Sequence, residues 1–218
     1  MSRIPAGDLP ELSGTHDRRT RRLDNYGDAM ASVVTRQSYF DAGLDVLPEL
    51  GYGGLKLAEV CNRLGVTTGS FYHYFTSWSV YTRALIAHWR QVRTVSVIDV
   101  IRAEPDPRQR LGSLIKEGLA LPHGAEGAIR VWSAIDAEVH AVQAAVDRQR
   151  FDFLVESALE ILQNERQAQV FASWALYLLV GYEQAVLPPR SSDDVEWIAN
   201  QLLSALDSGR FGTLPDNG

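Results

Sequence analysis

Between Lys56 and Phe75 the chain reads KLAEVCNRLGVTTGSFYHYF, a spacing that fits two short helices joined by a glycine turn. Leu57, Val60, Cys61 and Leu64 recur at steps of three and four, so they fall on one stripe that has to be buried. Gly65 follows directly; a glycine there takes positive φ without a Cβ clash and turns the chain sharply. Val66 fills the angle between the helices. Thr67 then offers a side-chain oxygen to the free N–H groups of the next helix, an end that also favours a nearby phosphate. In that second helix Phe71 and Phe75 lie four apart and face inward. Thr68, Gly69, Ser70, Tyr72 and His73 are left on the outside or at its edges.

This is the pattern of a helix-turn-helix, whose second helix enters the major groove of a duplex. Small residues let the backbone approach base edges, while hydroxyl and imidazole groups reach phosphate oxygens. Gly69 costs a helix about 1 kcal/mol relative to alanine, which points to a need for close approach. An aromatic core stripe explains Phe71 and Phe75 individually but not the polar edge beside them. The segment therefore reads as a sequence reader and not as a catalyst.

Gly51-Tyr52, then Gly65-Val66-Thr67, then Gly69, then Phe71-Tyr72-His73-Tyr74-Phe75 together resemble the N-terminal pattern of the TetR family of bacterial transcriptional regulators. The resemblance covers about residues 36–84; the rest agrees only in length and helical character. It implies an all-α protein with a three-helix DNA-binding domain and a C-terminal helical effector-binding and dimerisation domain. Carried over by position, Thr68 and Gly69 lie nearest base edges, with Thr67, Ser70, Tyr72 and His73 nearer the sugar-phosphate backbone. Two positions depart from the pattern: Leu55 stands where threonine is common, and Trp78 where a lysine often opens the fourth helix. A cap and a phosphate contact are then missing, and Lys56 partly replaces the second.

The net charge of −6 argues against nucleic acid at first, because phosphate binding needs clustered cations. Its distribution softens the objection. Residues 1–34 balance five arginines against five acids, residues 35–78 carry three cations against four anions, and the remaining −5 falls on residues 79–218, away from the duplex. Arg18, Arg19, Arg21 and Arg22 form a cluster in a segment without helical periodicity. Such a segment reads as a flexible arm able to place arginine in a minor groove, or as a solvated tail.

With 45% hydrophobic residues the 218-residue chain can bury a substantial core. It has no run of about eighteen apolar residues and no evident signal peptide, so a cytoplasmic protein without membrane partners is expected. Cys61, the single cysteine, sits on the buried stripe as a small hydrophobe. The expected organisation is an arm over 1–34, a helix-turn-helix domain over 35–78, a ligand-binding and dimerisation domain over 79–208, and a tail over 209–218 with too few apolar residues to pack.

Within that frame the first helix spans about 35–50, buries Phe40, Gly43, Leu44 and Leu47, carries Pro48 near its end and stops at Gly51. Ser77 caps a long fourth helix reaching Ala103, with Leu85, Trp89 and Val92 at helical spacing before Pro105-Asp106-Pro107. Further helices are expected at 108–121, 126–138, 139–163, 165–186 and 192–208. The last two offer broad apolar faces, one including Trp174, Leu178, Gly181 and Tyr182 and the other Val195, Ile198 and Leu202. Pairing those residues across a two-fold axis gives a homodimer and presents two reading heads to a palindromic operator.

Trp89, Trp132, Phe151, Phe153, Trp174, Tyr177 and Tyr182 are candidates to line an effector pocket, with His123, Asp136, His140 and Glu183 as orienting polar groups. The effector expected there is a partly apolar small molecule that releases a repressor from its operator. The rival reading is an all-helical enzyme or a small-molecule-binding protein without regulatory DNA binding. Its sequence support is poor: no histidine pair has metal-ligand spacing, Asp136 and Glu138 face apart on a helix, and neither a phosphate loop nor a nucleophile elbow occurs. No catalytic residue, metal or cofactor is expected. A non-specific DNA-packaging protein would need a larger basic surface.

Overall fold

Thr35 opens the first helix with a reciprocal cap: its side chain accepts from the Ser38 N–H, and the Ser38 hydroxyl accepts from the Thr35 N–H. The computed structural model describes residues 34–185 and 192–214, and every regular element among them is helical. Helix α1 (Arg36–Gly54) is interrupted at Gly51, whose φ of 63° and ψ of −175° break the regular run beside the expected stop; a further turn carries it to Gly54. α2 (Leu57–Leu64) ends at Gly65 in the left-handed region (φ 65°), and α3 (Thr68–Tyr74) follows. Val60 and Cys61 are buried while Leu57 and Leu64 are half-buried, so the predicted stripe faces the core.

α4 (Trp78–Arg90) is capped by Ser77, which accepts from the Val80 N–H. It does not run unbroken to Ala103: a π-helical turn at Gln91–Val95 separates it from α5 (Ser96–Arg102). Periodicity alone cannot show such a wide turn, because the helical register resumes beyond it. Asp106 caps α6 (Pro107–Leu119), with Pro107 in the first turn where its missing N–H costs nothing. α7 (His123–Ser133) and α8 (Ala137–Leu162) meet at Asp136, whose carboxylate accepts from the N–H groups of Glu138 and Val139. The break expected at 138/139 therefore lies earlier, because Asp136 is an N-cap. α9 (Glu165–Gln184), capped by Asn164, and α10 (Ser192–Asp207) complete the long helices.

The described end of the chain corrects the expectation of an unpacked tail. Arg210–Thr213 forms a 3-10 turn and buries Phe211 against Phe171 and Trp174, with ring centroids 5.8 and 6.2 Å away. One aromatic residue at the correct place suffices to dock the segment.

Two main apolar clusters hold these helices. The first joins α1–α4 to α7 and α8 through Tyr39, Phe71, Phe75, Trp89, Ile129, Trp132 and Val146, so it crosses residue 78 without a gap. Tyr81 lies at its centre: its hydroxyl donates to the Tyr39 carbonyl at 2.8 Å, and burial pushes its pKa far up. The end of α1 also meets the body, where Tyr52 stacks on Trp132 at 4.4 Å and Pro48 leaves no room for a side chain at Gly124. The second cluster draws on α6, α8, α9, α10 and Phe211.

Candidate nucleic-acid interface and an apolar cavity

α3 is fixed from behind and free in front. Phe71 and Phe75 are fully buried, the Thr67 side chain accepts from the Ser70 N–H at 3.3 Å, and the Tyr74 hydroxyl donates to the Val34 carbonyl at 2.7 Å. Tyr39 donates to the Ser70 Oγ at 3.1 Å, so Ser70 is half-buried and engaged from the inside. Thr67, Thr68, Gly69, Tyr72 and His73 are exposed, with Tyr72 at 53%. A side chain at Gly69 would meet only the Thr67 hydroxyl, at 3.6 Å. Nothing among the described residues demands the glycine, and its helix-propensity cost is left to be explained by something approaching from outside.

The charged groups around α3 divide by role. Lys56 is exposed at the start of α2, which has no side-chain cap at that position, in keeping with the departure at Leu55. Arg36 lies over the rings of Phe75 and Phe40, 5.1 and 5.7 Å from their centroids, a cation beside α3 that periodicity did not single out. Arg63 is occupied within the head by Glu49 at 2.7 Å, Glu59 at 2.9 Å and the Asp45 carbonyl at 3.1 Å. Its guanidinium holds the Glu49 carboxyl below the usual range. Trp78 turns its ring onto Tyr81 and Phe71, at 4.8 and 5.9 Å, so this position packs the core in place of a phosphate contact. The arginine cluster Arg18, Arg19, Arg21 and Arg22 lies outside the described residues.

Behind the head, a buried polar network ties α4 to the body. Glu126 of α7 accepts from the Trp89 indole N–H at 2.5 Å and from Arg150 Nη2 at 3.0 Å, while Arg150 Nε donates to the Thr94 hydroxyl at 3.2 Å. Arg130 makes a two-point contact with Asp147, at 2.8 and 3.0 Å, and its Nε lies 3.6 Å from Glu183. Burial pushes the Glu183 carboxyl up to about 7; Glu126 adds to the rise, Arg150 and Arg130 oppose it, and Asp147 reinforces it.

Arg150 and Thr94 also border a cavity of about 120 Å³ whose other walls are mostly aliphatic, from α5, α6, α8, α9 and α10. Sequence reading missed this pair. The available signal was Arg150 itself, which shares the inner stripe of α8 with Val139, Gln143, Val146 and Leu154.

Residues 40–77 match the family model described as bacterial regulatory proteins of the tetR family. That segment is a TetR-family DNA-binding domain. No curated protein matches its sequence. Solved structures share the fold over most of the chain. A TetR transcription regulator from Haloarcula marismortui superimposes with a TM-score of 0.65 at 16% identity over 79% of this chain and 96% of its own. The regulator FadR from Bacillus subtilis, in complex with stearoyl-CoA, gives 0.58 at 16% identity over 80% and 99%. A protein from Saccharomonospora viridis in complex with choline gives 0.67 at 12% identity over 79% and 95%.

Of the residues expected to line a pocket, most lie apart from this cavity. Trp89 is buried against Glu126, and Trp132 is buried against Tyr52 and donates to Asp136 at 3.3 Å. Asp136 serves as a cap, His140 is exposed, and Phe151 is half-buried in the second apolar cluster. Trp174 and Tyr177 are 46% and 72% exposed on α9. These aromatics do not line this cavity, because their spacing reports burial or a helix face, not which helices part to leave space. Tyr182 does border the cavity, whereas His123 and Glu183 border a second recess beside Tyr52.

The residues expected to pair two subunits divide as well. Trp174, Gly181 and Ile198 are exposed. Leu178, Tyr182 and Val195 are half-buried and line the cavity, and Leu202 is fully buried within its own subunit. Tyr177 and Trp197 are large exposed aromatics on the same two helices. None of the described helices is long and apolar enough to cross a membrane.

Proposed function

We propose that this DNA-binding transcriptional regulator acts as a homodimeric repressor of a palindromic operator and is released by a small, partly apolar effector. The observation that carries the reading is the polarity of α3: Phe71 buried beneath it, and Thr68, Gly69, Tyr72 and His73 exposed along it. Thr68 and Gly69 read base edges; Thr67, Tyr72, His73 and Lys56 meet the backbone, with Ser70 contributing from the inner edge. Residues 35–78 form the reading head, 79–208 the effector and dimer body, and the arginines at 18–22 an arm to the minor groove.

Exposed Trp174, Tyr177, Trp197 and Ile198 supply apolar area that an isolated subunit leaves in water, which supports a two-fold contact through α9 and α10. The relatives in complex with choline and stearoyl-CoA favour a small-molecule effector. The family match favours regulation over the all-helical enzyme.

Selecting bound duplexes from a random pool tests the proposal. A site of two inverted half-sites about one helical turn, roughly 34 Å, apart is expected. Recovery of sequences without common symmetry would overturn the dimeric operator reading. Trp197→Asp combined with Tyr177→Asp should yield monomers in sedimentation, with loss of tight operator binding. Removing residues 1–24 should weaken binding and its salt dependence if the arm contributes.

A further inference from the structure

The 120 Å³ cavity is walled by aliphatic side chains such as Val97, Ile98, Leu114, Leu154 and Leu178, yet a charged residue, Arg150, is part of its lining. Arg150 is 6% exposed, so its charge is deep inside the protein. Two of its nitrogens are used, Nε on Thr94 at 3.2 Å and Nη2 on Glu126 at 3.0 Å. The third, Nη1, is buried and has no hydrogen-bond acceptor among the described residues. A buried donor in that state gains from any acceptor delivered to it. The other charged groups along the lining, Arg93 and Glu117, are exposed and remain hydrated.

Charge balance restricts what that acceptor is. Arg150 is neutralised by Glu126 and Arg130 by Asp147, two cations against two anions. Glu183, the next acid in the cluster, is itself driven toward its neutral form by burial and by Glu126. The interior thus resists another negative charge while still offering a strong donor. We infer that the cavity binds an uncharged, largely apolar molecule carrying a carbonyl oxygen, a ketone, ester or amide, which is held by the incompletely paired guanidinium of Arg150. This deepens the effector reading above and rests on it for its regulatory meaning. Arg150 also grips Thr94 in the π-helical turn that follows α4, and through Glu126 it is linked to Trp89 within α4. A ligand held by Arg150 therefore acts on a group already tied to the helix that leads to the DNA-reading head.

The void is comparable with cavities that admit one benzene-sized molecule, roughly 150 Å³. Acetophenone, benzoate and ethylbenzene are matched probes: a ring with a carbonyl, a carboxylate, or neither. Titration of the full-length protein without DNA, by calorimetry and ligand-observed NMR, should show acetophenone bound about tenfold more tightly than either of the others. Arg150→Met should bring acetophenone to within about threefold of ethylbenzene. If that variant fails to fold because Glu126 is left without its counter-charge, Arg150→Met combined with Glu126→Gln removes the pair together and serves the same comparison. Benzoate binding as tightly as acetophenone, or no measurable binding of any probe at millimolar concentration, would overturn the inference. Binding that fails to release a selected duplex would leave the ligand class standing and refute its role as effector. Failed duplex selection would count against the operator reading alone.

Discussion

Substituting Glu183 by glutamine should reverse part of the pH dependence of stability. Glu183 is buried on α9, and burial followed by Glu126 lifts its pKa from 4.5 to about 7 against the pull of Arg150 and Arg130. An acid whose pKa rises on folding holds its proton more tightly in the folded state, so ionisation favours the unfolded chain. Below pH 4.5 the group is protonated in both states and costs nothing. Between 4.5 and about 7 the unfolded chain ionises first and stability falls; above 7 the loss is complete. At about 1.4 kcal/mol per pH unit, the gap amounts to about 3 kcal/mol. Glutamine keeps the shape and cannot ionise. Urea unfolding of both proteins at one concentration, across pH 5 to pH 8, isolates this group because other titrations cancel in the difference. The variant should gain about 2–3 kcal/mol on the wild type over that interval. A difference that stays constant would mean that Glu183 is already ionised and paired with Arg130 at pH 5, refuting the reasoning.

Gly43→Ala would bring a methyl group 2.1 Å from the Tyr81 hydroxyl and 3.1 Å from Leu85 Cδ2. Overpacking should cost about 1–3 kcal/mol in urea unfolding despite the better helix former, and adding Tyr81→Phe should recover part of it. Thr67→Ala removes the side-chain acceptor for the Ser70 N–H, which also reaches the Thr67 carbonyl, and should destabilise the fold by about 1 kcal/mol, read as a lower urea midpoint at unchanged slope. Tyr72→Phe should weaken binding to the selected duplex with its sequence preference unchanged; an altered preference would show that the hydroxyl meets a base and not a phosphate.

The helix-turn-helix was legible because its determinants are local. Gly65 takes its turn, Thr67 and Ser77 cap, and Phe71 and Phe75 point inward for reasons confined to a few neighbours in the chain. Pocket residues are not local in this sense. Whether a tryptophan lines a cavity depends on which helices separate, and Trp89 and Trp132 are instead consumed by Glu126 and Tyr52, far away in sequence. Asp136 illustrates the same limit at a boundary: its spacing from Glu138 was informative about catalysis, but its position between two helical runs made it a cap. Ser70 looked outward by helical phase until Tyr39, thirty-one residues earlier, claimed its hydroxyl.

The polar network supplies the connection that the proposed effector response needs between a body and a reading head sharing one apolar core. Trp89 and Trp132 belong to a cluster that includes Phe71 and Phe75, so there is no free hinge between the two parts, and any relative motion has to repack buried aromatic rings. Packed cores of this kind have discrete arrangements and do not deform continuously, which favours a two-state response. The body grips the head at two places: the end of α1, through Tyr52 and Pro48 on α7, and the end of α4, through Trp89 and Thr94 on Glu126 and Arg150. Glu126 belongs to α7 and Arg150 to α8, and they are joined by a hydrogen bond of 3.0 Å. A change at Arg150 thus reaches both grips through one buried ion pair. Severing that pair while leaving the cavity walls intact would separate ligand binding from its effect on DNA.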